Sequence, residues 1–253
     1  MLPMAVMIAV GVVVWFVVTV SVPSGLCVQR RTRQRPSRRV SSDCRGRAVL
    51  DARRHPVVTV EADPVGVESR LVSGRVVCPG CRGALRPWGW ARSRGIFGLV
   101  GVLRPRRARC RGCLVTHVLL PVTVLLRRAY AVELIGAALV ARAGGWGHRS
   151  IGRQLRVPPD TVRGWLRVMG ARLGPTRTLL LQVARRAGVD QPVPKAQGCP
   201  WSDLLAALEA ARMAVTGRFG PLGVLGPVTV WQLAAACSAS RLLSPGWPPG
   251  HGG

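Results

Sequence analysis

The chain has 253 residues, 48% of them hydrophobic, which suffices for one or two domains with a packed core and excludes a wholly disordered basic tail. It carries 37 Lys and Arg against 10 Asp and Glu, a formal net charge of +27. That balance excludes an acidic solvating chain and directs attention to a polyanion, either nucleic acid or an anionic membrane face.

Residues 1–20, MLPMAVMIAVGVVVWFVVTV, contain no charge. A helix of that length spans about 30 Å, the thickness of a bilayer's hydrocarbon core. The segment 1–23 is therefore expected as a membrane-spanning helix, with the basic cluster Arg30, Arg31, Arg33, Arg35, Arg38 and Arg39 behind it. The positive-inside rule then tethers the rest of the chain to the cytoplasmic face of the membrane. A second reading stays open: a Val-rich leader from a mis-assigned start codon in a GC-rich gene. Such a genome would also account for 36 of the 37 basic residues being Arg, with Lys195 the exception. Residues 24–55 hold ten Arg and few apolar side chains, and are expected as a disordered arm.

Residues 56–127 are expected to form a β-rich domain. A strand is predicted over 57–60. Asp63 followed by Pro64 reads as a helix N-cap and first-turn proline, opening a short helix to about Leu71. A strand over 75–77 leads into Cys78-Pro79-Gly80-Cys81. The second pair, Cys110-Arg111-Gly112-Cys113, follows 28 residues later. Between the pairs lie two β-rich runs, 84–90 and 96–103, around a turn at 93–95, with a further strand at 115–120. Two such knuckles joined by strands are the makings of a zinc ribbon, with four thiolates around one structural Zn2+. Pro and Gly in the first knuckle suit a tight turn that aims backbone N–H groups at the sulfurs. A redox pair would need only one C-x-x-C, near a βαβ pattern that is missing, and disulfides would need export, which the charge topology opposes. His117 is placed on the last strand, with metal ligation the lesser option. Cys27, Cys44, Cys199 and Cys237 have no partner spacing and are expected as free thiols.

No acid falls between Glu68 and Glu133, a stretch holding 13 Arg. Within it Arg104, Arg106, Arg107 and Arg109 are candidates to track phosphate.

From Arg128 the apolar period becomes helical, and residues 128–187 are expected as a helix-turn-helix domain. Val132, Ile135, Ala138 and Leu139 share one face, and Gly144-Gly145 stops the run. A short helix over 149–155 buries Ile151 and Leu155. After the turn Arg156-Val157-Pro158, a third helix starts near Pro159 or Asp160, with a core stripe of Val162, Trp165, Leu166, Met169 and Leu173. Three short helices with a tight second turn are what a major-groove reader requires. Thr161, Arg163 and Arg167 are the candidate base readers, and Arg149, Arg153 and Arg156 the candidate phosphate contacts.

The order "VCPGC…CRGC…LLP" followed by "RSIGRQLRVPPDTVRGWLR" resembles the zinc ribbon and helix-turn-helix at the front of bacterial insertion-sequence transposases. It resembles more closely a group of transposase-like proteins from high-GC bacteria, whose tail is similar to "VTVWQLAAACSASRLLSPGWP". The likeness covers about residues 56–247 and implies DNA binding. Arg82 and Arg156 stand where such motifs usually carry Gly, so Arg156 is expected to accept a positive φ.

Residues 188–200 read as a linker, and 201–253 as short helices with a disordered tail. The helices are predicted over 203–215 and 230–239, the latter with a capping box from Thr229 to Gln232. Trp201, Trp231 and Trp247 are expected to pack a small satellite core. Asp190, Asp203 and Glu209 are the only acids after the helix-turn-helix, with no β-rich run between them. They do not make the metal-holding triad of a transposase, and no phosphate loop or H-E-x-x-H is present. The expectation is an α+β, non-enzymatic protein that binds double-stranded DNA and is cytoplasmic and nucleoid-associated. Two alternatives stay open: a membrane-anchored protein whose Arg arm contacts anionic lipid, and an RNA- or protein-binding ribbon. A homodimer is compatible with each.

Overall fold

Residues 56–188, 192–220 and 228–248 are described by a computed structural model. The segments expected as membrane helix and Arg-rich arm, with Asp190 and the end of the tail, lie outside the described residues. Among the described residues no helix is long and apolar enough to cross a membrane.

The architecture is α+β. Strand β1 (Val57–Val60) runs into helix α1 (Pro64–Val72), whose start is set locally: the Asp63 carboxylate accepts from the Val65 and Gly66 N–H groups at 3.0 and 2.9 Å. This side chain satisfies two of the donors that every helix start leaves over. Strands β2 (Leu85–Trp90), β3 (Arg94–Gly95), β4 (Val102–Leu103), β5 (Arg106–Cys110) and β6 (Thr116–Pro121) follow. Strands β1, β2, β5 and β6 form a sheet in the order β1-β6-β5-β2, with β1 parallel to β6 and the other pairs antiparallel. Helix α1 covers one face, burying Val67 and Leu71 with Leu85, Ala108, Cys110 and Leu119.

Two strand expectations change. Residues 75–77 contribute only a bridge, Val77 to Ala84. The runs 84–90 and 96–103 do not pair with each other. Instead β2 pairs with β5, Leu85 opposite Cys110, and residues 94–103 fold back as the short hairpin β3–β4. The reason is geometric: the strand leaving Cys81 and the strand arriving at Cys110 must be neighbours if the two knuckles are to meet. Hydropathy conceals β5, because of RRARC only Ala108 and Cys110 turn inward to full burial.

Helices α2 (Val132–Ala143), α3 (His148–Leu155), α4 (Pro159–Gly170), α5 (Leu173–Ala187), α6 (Pro200–Phe219) and α7 (Val230–Cys237) make the second half. On α4, Val162, Trp165 and Met169 are buried as the stripe predicts. The chain breaks at Ala171 and Arg172, so Leu173 belongs to α5 instead, a helix the stripe absorbed unnoticed. Helix α6 is also longer than expected. Thr229 caps α7 as anticipated: its hydroxyl accepts from the Gln232 N–H at 3.1 Å, while donating to the Glu133 carboxylate on α2.

The expected satellite core is instead continuous with the core of α2–α4. One cluster joins Ile135, Ile151, Val162, Trp165 and Met169 to Leu204, Leu208, Trp231 and Trp247. Gly136 explains the closeness of α2 and α7, because a Cβ there would lie 2.2 Å from the Trp231 ring. The C-terminal segment also ties the helices to the sheet. The Ser240 hydroxyl meets that of Thr59 at 2.9 Å, and its carbonyl accepts from the Leu126 N–H at 2.7 Å. Arg128 and Arg172 donate to the Leu243 and Ser244 carbonyls at 2.7 and 2.5 Å.

Candidate metal centre and basic surface

Cys78 and Cys81 sit in the turn before β2, Cys110 ends β5, and Cys113 lies in the turn into β6. Their four Sγ atoms all fall within 4.8 Å of one another. Cys78 and Cys113 are 3.7 Å apart and Cys81 and Cys110 3.3 Å. A tetrahedral ion with metal–sulfur bonds of about 2.3 Å needs sulfur–sulfur edges of about 3.8 Å. The cluster can hold a metal ion.

The two turns repeat one backbone design. The Cys78 N–H donates to the Gly83 carbonyl and the Cys110 N–H to the Val115 carbonyl, each at 2.9 Å. Arg82 and Leu114, each four residues after the first cysteine of its pair, take left-handed φ values of 62° and 61°. Glycine is required where the turns press on sulfur. A Cβ on Gly83 would lie 3.1 Å from the Cys110 Sγ, and one on Gly112 3.3 Å from the Cys81 Sγ. The Gly83 N–H beside Cys81, helped by the neighbouring thiols, holds its thiol down to about 6. Burial pushes Cys78 up to about 12, against the Cys81 and Gly80 N–H groups. A bound cation would overcome that opposition, since a coordinating thiol is deprotonated outright. Four sulfurs would close the shell of a tetrahedral ion, the arrangement of structural rather than catalytic sites.

His117 lies on β6, as expected, and outside the four-sulfur set. It is 1% exposed, and its Nε2 stands 3.3 Å from the Cys78 Sγ. Burial lowers its pKa, against the Pro56 backbone. Its contact with Cys78 is the feature sequence reasoning missed; alternation with Leu119 marks His117 as inward-facing but not the atom it meets. Cys199 and Cys237 are free thiols, and burial pushes that of Cys237 up to about 12. Cys27 and Cys44 lie outside the described residues.

The predicted basic residues separate into two groups. On α3, the following turn and α4, Arg149, Arg153, Arg156, Arg163 and Arg167 are all exposed, and Thr161 is half-buried. Opposite them Ile151, Val162, Trp165 and Met169 are buried. Arg156 ends α3 in the left-handed region (φ 54°, ψ 40°), its N–H reaching back to the α3 carbonyls. Gly152 lets α3 and the turn close, because a Cβ there would lie 2.8 Å from the Val157 carbonyl oxygen and 3.1 Å from the Pro159 Cα. Asp160 stands 3.7 Å from Arg163, both in solvent, a pair of little consequence.

The second group surrounds β5. Arg104 is exposed, and Arg107 and Arg109 are half-buried. Arg106 differs: it binds Glu68 on α1 through two bonds of 2.8 and 2.9 Å and donates to the Gly89 carbonyl at 2.8 Å. This guanidinium fastens β5 to α1, and its charge is answered in place. Of the acids considered for catalysis, Asp203 accepts the Gln197 N–H at 2.6 Å, and Glu209 pairs with Arg212 on its own helix at 2.5 Å.

Comparison with known proteins finds no match: no family model, no curated protein and no solved structure matches this chain.

Proposed function

We propose that this is a non-enzymatic DNA-binding protein of transposase-like type, a zinc ribbon beside a helix-turn-helix whose α4 enters the major groove. The observation that carries the reading is the row of exposed arginines on α3, its turn and α4, set opposite the buried Ile151, Val162, Trp165 and Met169. Arg163 and Arg167 lie one turn apart on α4 and so share a face, which suits side chains that read base edges. Arg149, Arg153 and Arg156 flank them on α3 and its turn, which suits phosphate contact. Pro159 and Asp160 at the start of α4 fit a helix whose first turn needs neither a free N–H nor another positive charge. In the ribbon, the four thiolates hold one Zn2+, and its binding energy becomes folding energy for a unit with a small core of its own. A nucleoid-associated location follows from the same reading.

Selection of bound sites from random duplex DNA by the full chain tests it. Arg163→Ala is expected to cost about 1–3 kcal/mol at the selected site and to relax preference at one base pair. Arg149→Ala is expected to weaken all sequences alike and to lower the salt slope by about 0.9. Duplex binding unchanged in both Arg163→Ala and Arg167→Ala would overturn the assignment of α4. Metal analysis of reduced protein should return about one zinc per chain, and clearly less would remove the four-sulfur site.

A further inference from the structure

Tryptophan is a residue that folding usually hides, yet Trp88 and Trp90 are 56% and 49% exposed. Both lie on β2, an outer strand of the four-stranded sheet, and among the described residues no further named strand pairs with that edge. The register explains Trp88. Pro87 pairs with Ala108 and Gly89 with Arg107, which leaves Trp88 as the extra residue of a β-bulge. A bulge re-aims the side chain it carries.

Each indole carries a guanidinium. Arg109 lies 4.6 Å from the ring centre of Trp88, and Arg106 lies 4.6 Å from that of Trp90, with Arg104 at 5.6 Å. Arg106 is itself held by Glu68 and the Gly89 carbonyl, so the guanidinium next to the Trp90 ring is fixed in place. With these guanidiniums beside them, both rings still keep about half of their surface in solvent. The surroundings are cationic, with no acid between Glu68 and Glu133 and Glu68 already neutralised by Arg106.

A ligand that answers this surface must be anionic along its length and must offer flat π faces at intervals. Duplex DNA has the charge but keeps its base faces inside the stack. An acidic peptide has the charge without a regular supply of rings. Unpaired nucleotides have both, and aromatic side chains with arginines are how proteins hold them. We infer that the β2 edge binds single-stranded DNA, Trp88 and Trp90 each stacking one unpaired base while Arg104 and Arg109 meet phosphates. The surface is separate from α4 and does not depend on the duplex reading.

Fluorescence anisotropy of a labelled oligothymidylate with the full chain tests the inference, beside a matched duplex and an oligouridylate of equal length. Trp88→Ala and Trp90→Ala are each expected to weaken single-strand binding by about fivefold or more. Trp88→Phe should recover most of the loss, whereas Trp88→Leu, which keeps apolar bulk without a ring, should not. Duplex affinity stays at the parent value in all four. Arg163→Ala with Arg167→Ala shows the reverse pattern if α4 reads duplex DNA, so the two surfaces fail or stand separately. The inference is overturned if the alanine variants bind oligothymidylate like the parent, if duplex affinity falls in parallel, or if oligouridylate binds more tightly than oligothymidylate.

Discussion

Arg156 is one of the residues where sequence and backbone conflict. Its left-handed conformation, φ 54°, brings an L-residue's Cβ against its own carbonyl, at a cost of about 1 kcal/mol relative to glycine. Arg156→Gly is therefore expected to raise stability by about 1 kcal/mol in urea unfolding, while weakening duplex binding through loss of a phosphate contact. A variant that gained neither stability nor lost affinity would show that the turn is relaxed and its charge idle. The positive φ was legible beforehand only through the resemblance, because Arg156 stands where such helix-turn-helix motifs usually carry Gly. His117 was not legible in the same way, since nothing in a strand's alternation says which buried atom a histidine will face. In the neutral ring with its proton on Nε2, His117 donates to the Cys78 sulfur, 3.3 Å away. Outer partners of this kind hold a ligand's orientation, so His117→Phe should lower zinc affinity by about tenfold to a hundredfold in chelator competition. With Co2+ in place of zinc, the spectrum should keep its four-sulfur character; a change to mixed sulfur and nitrogen coordination in the parent would mean that His117 is itself a ligand.

Among the elements, α3 and α4 form the pair whose geometry the proposed function uses. Their approach depends on Gly152, where even a methyl group meets the Val157 carbonyl and Pro159 at under 3.2 Å, both backbone atoms that cannot swing aside. Gly152→Ala is expected to destabilise the fold by about 1–3 kcal/mol, read by urea unfolding, with duplex binding lost first and zinc content kept. An unaltered midpoint would show that α3 and α4 can separate freely. These helices could be read in advance because a turn, a proline and an apolar stripe lie within a few residues of each other. Strand β5 could not. Its four-residue charge-rich run reads as surface, and only the cross-strand pairing of Leu85 with Cys110 makes it the centre of the sheet. Helix α5 escaped for the opposite reason: Leu173 continues the stripe of α4 so well that the break at Ala171 leaves no apolar mark.

For the whole molecule, the helical core is one body. Leu204, Leu208 and Ala211 of α6 and Trp231 of α7 share it with Trp165 and Met169 of α4. Trp231→Ala should therefore cost about 3–5 kcal/mol, although Trp231 lies 66 positions from Trp165 in the sequence. Truncation before residue 200 should leave α4 open to proteolysis, and circular dichroism of the full chain should show its helix content lost in a single cooperative transition. A stable, protected fragment ending at residue 188 would contradict the shared core. Arg128 and Arg172 extend the same dependence to the C-terminal segment through its Leu243 and Ser244 carbonyls.

By itself the sequence determined what depends on near neighbours: the Asp63 and Thr229 caps, the Arg156 turn, the inward face of α4 and the two cysteine pairs. A few adjacent side chains set each of these backbone conformations, so the order of residue types is enough. Tertiary structure alone decided that β2 pairs with β5, that His117 faces Cys78, that Glu68 claims Arg106, and that Trp231 fills the notch at Gly136. Those outcomes depend on which distant surfaces exclude water from one another, and the residues involved carry no local mark of it. The charge illustrates both halves. Its concentration around the ribbon and α3–α4 is visible in the order of residues, but which arginines stay available to a partner was settled only when Arg106 met Glu68.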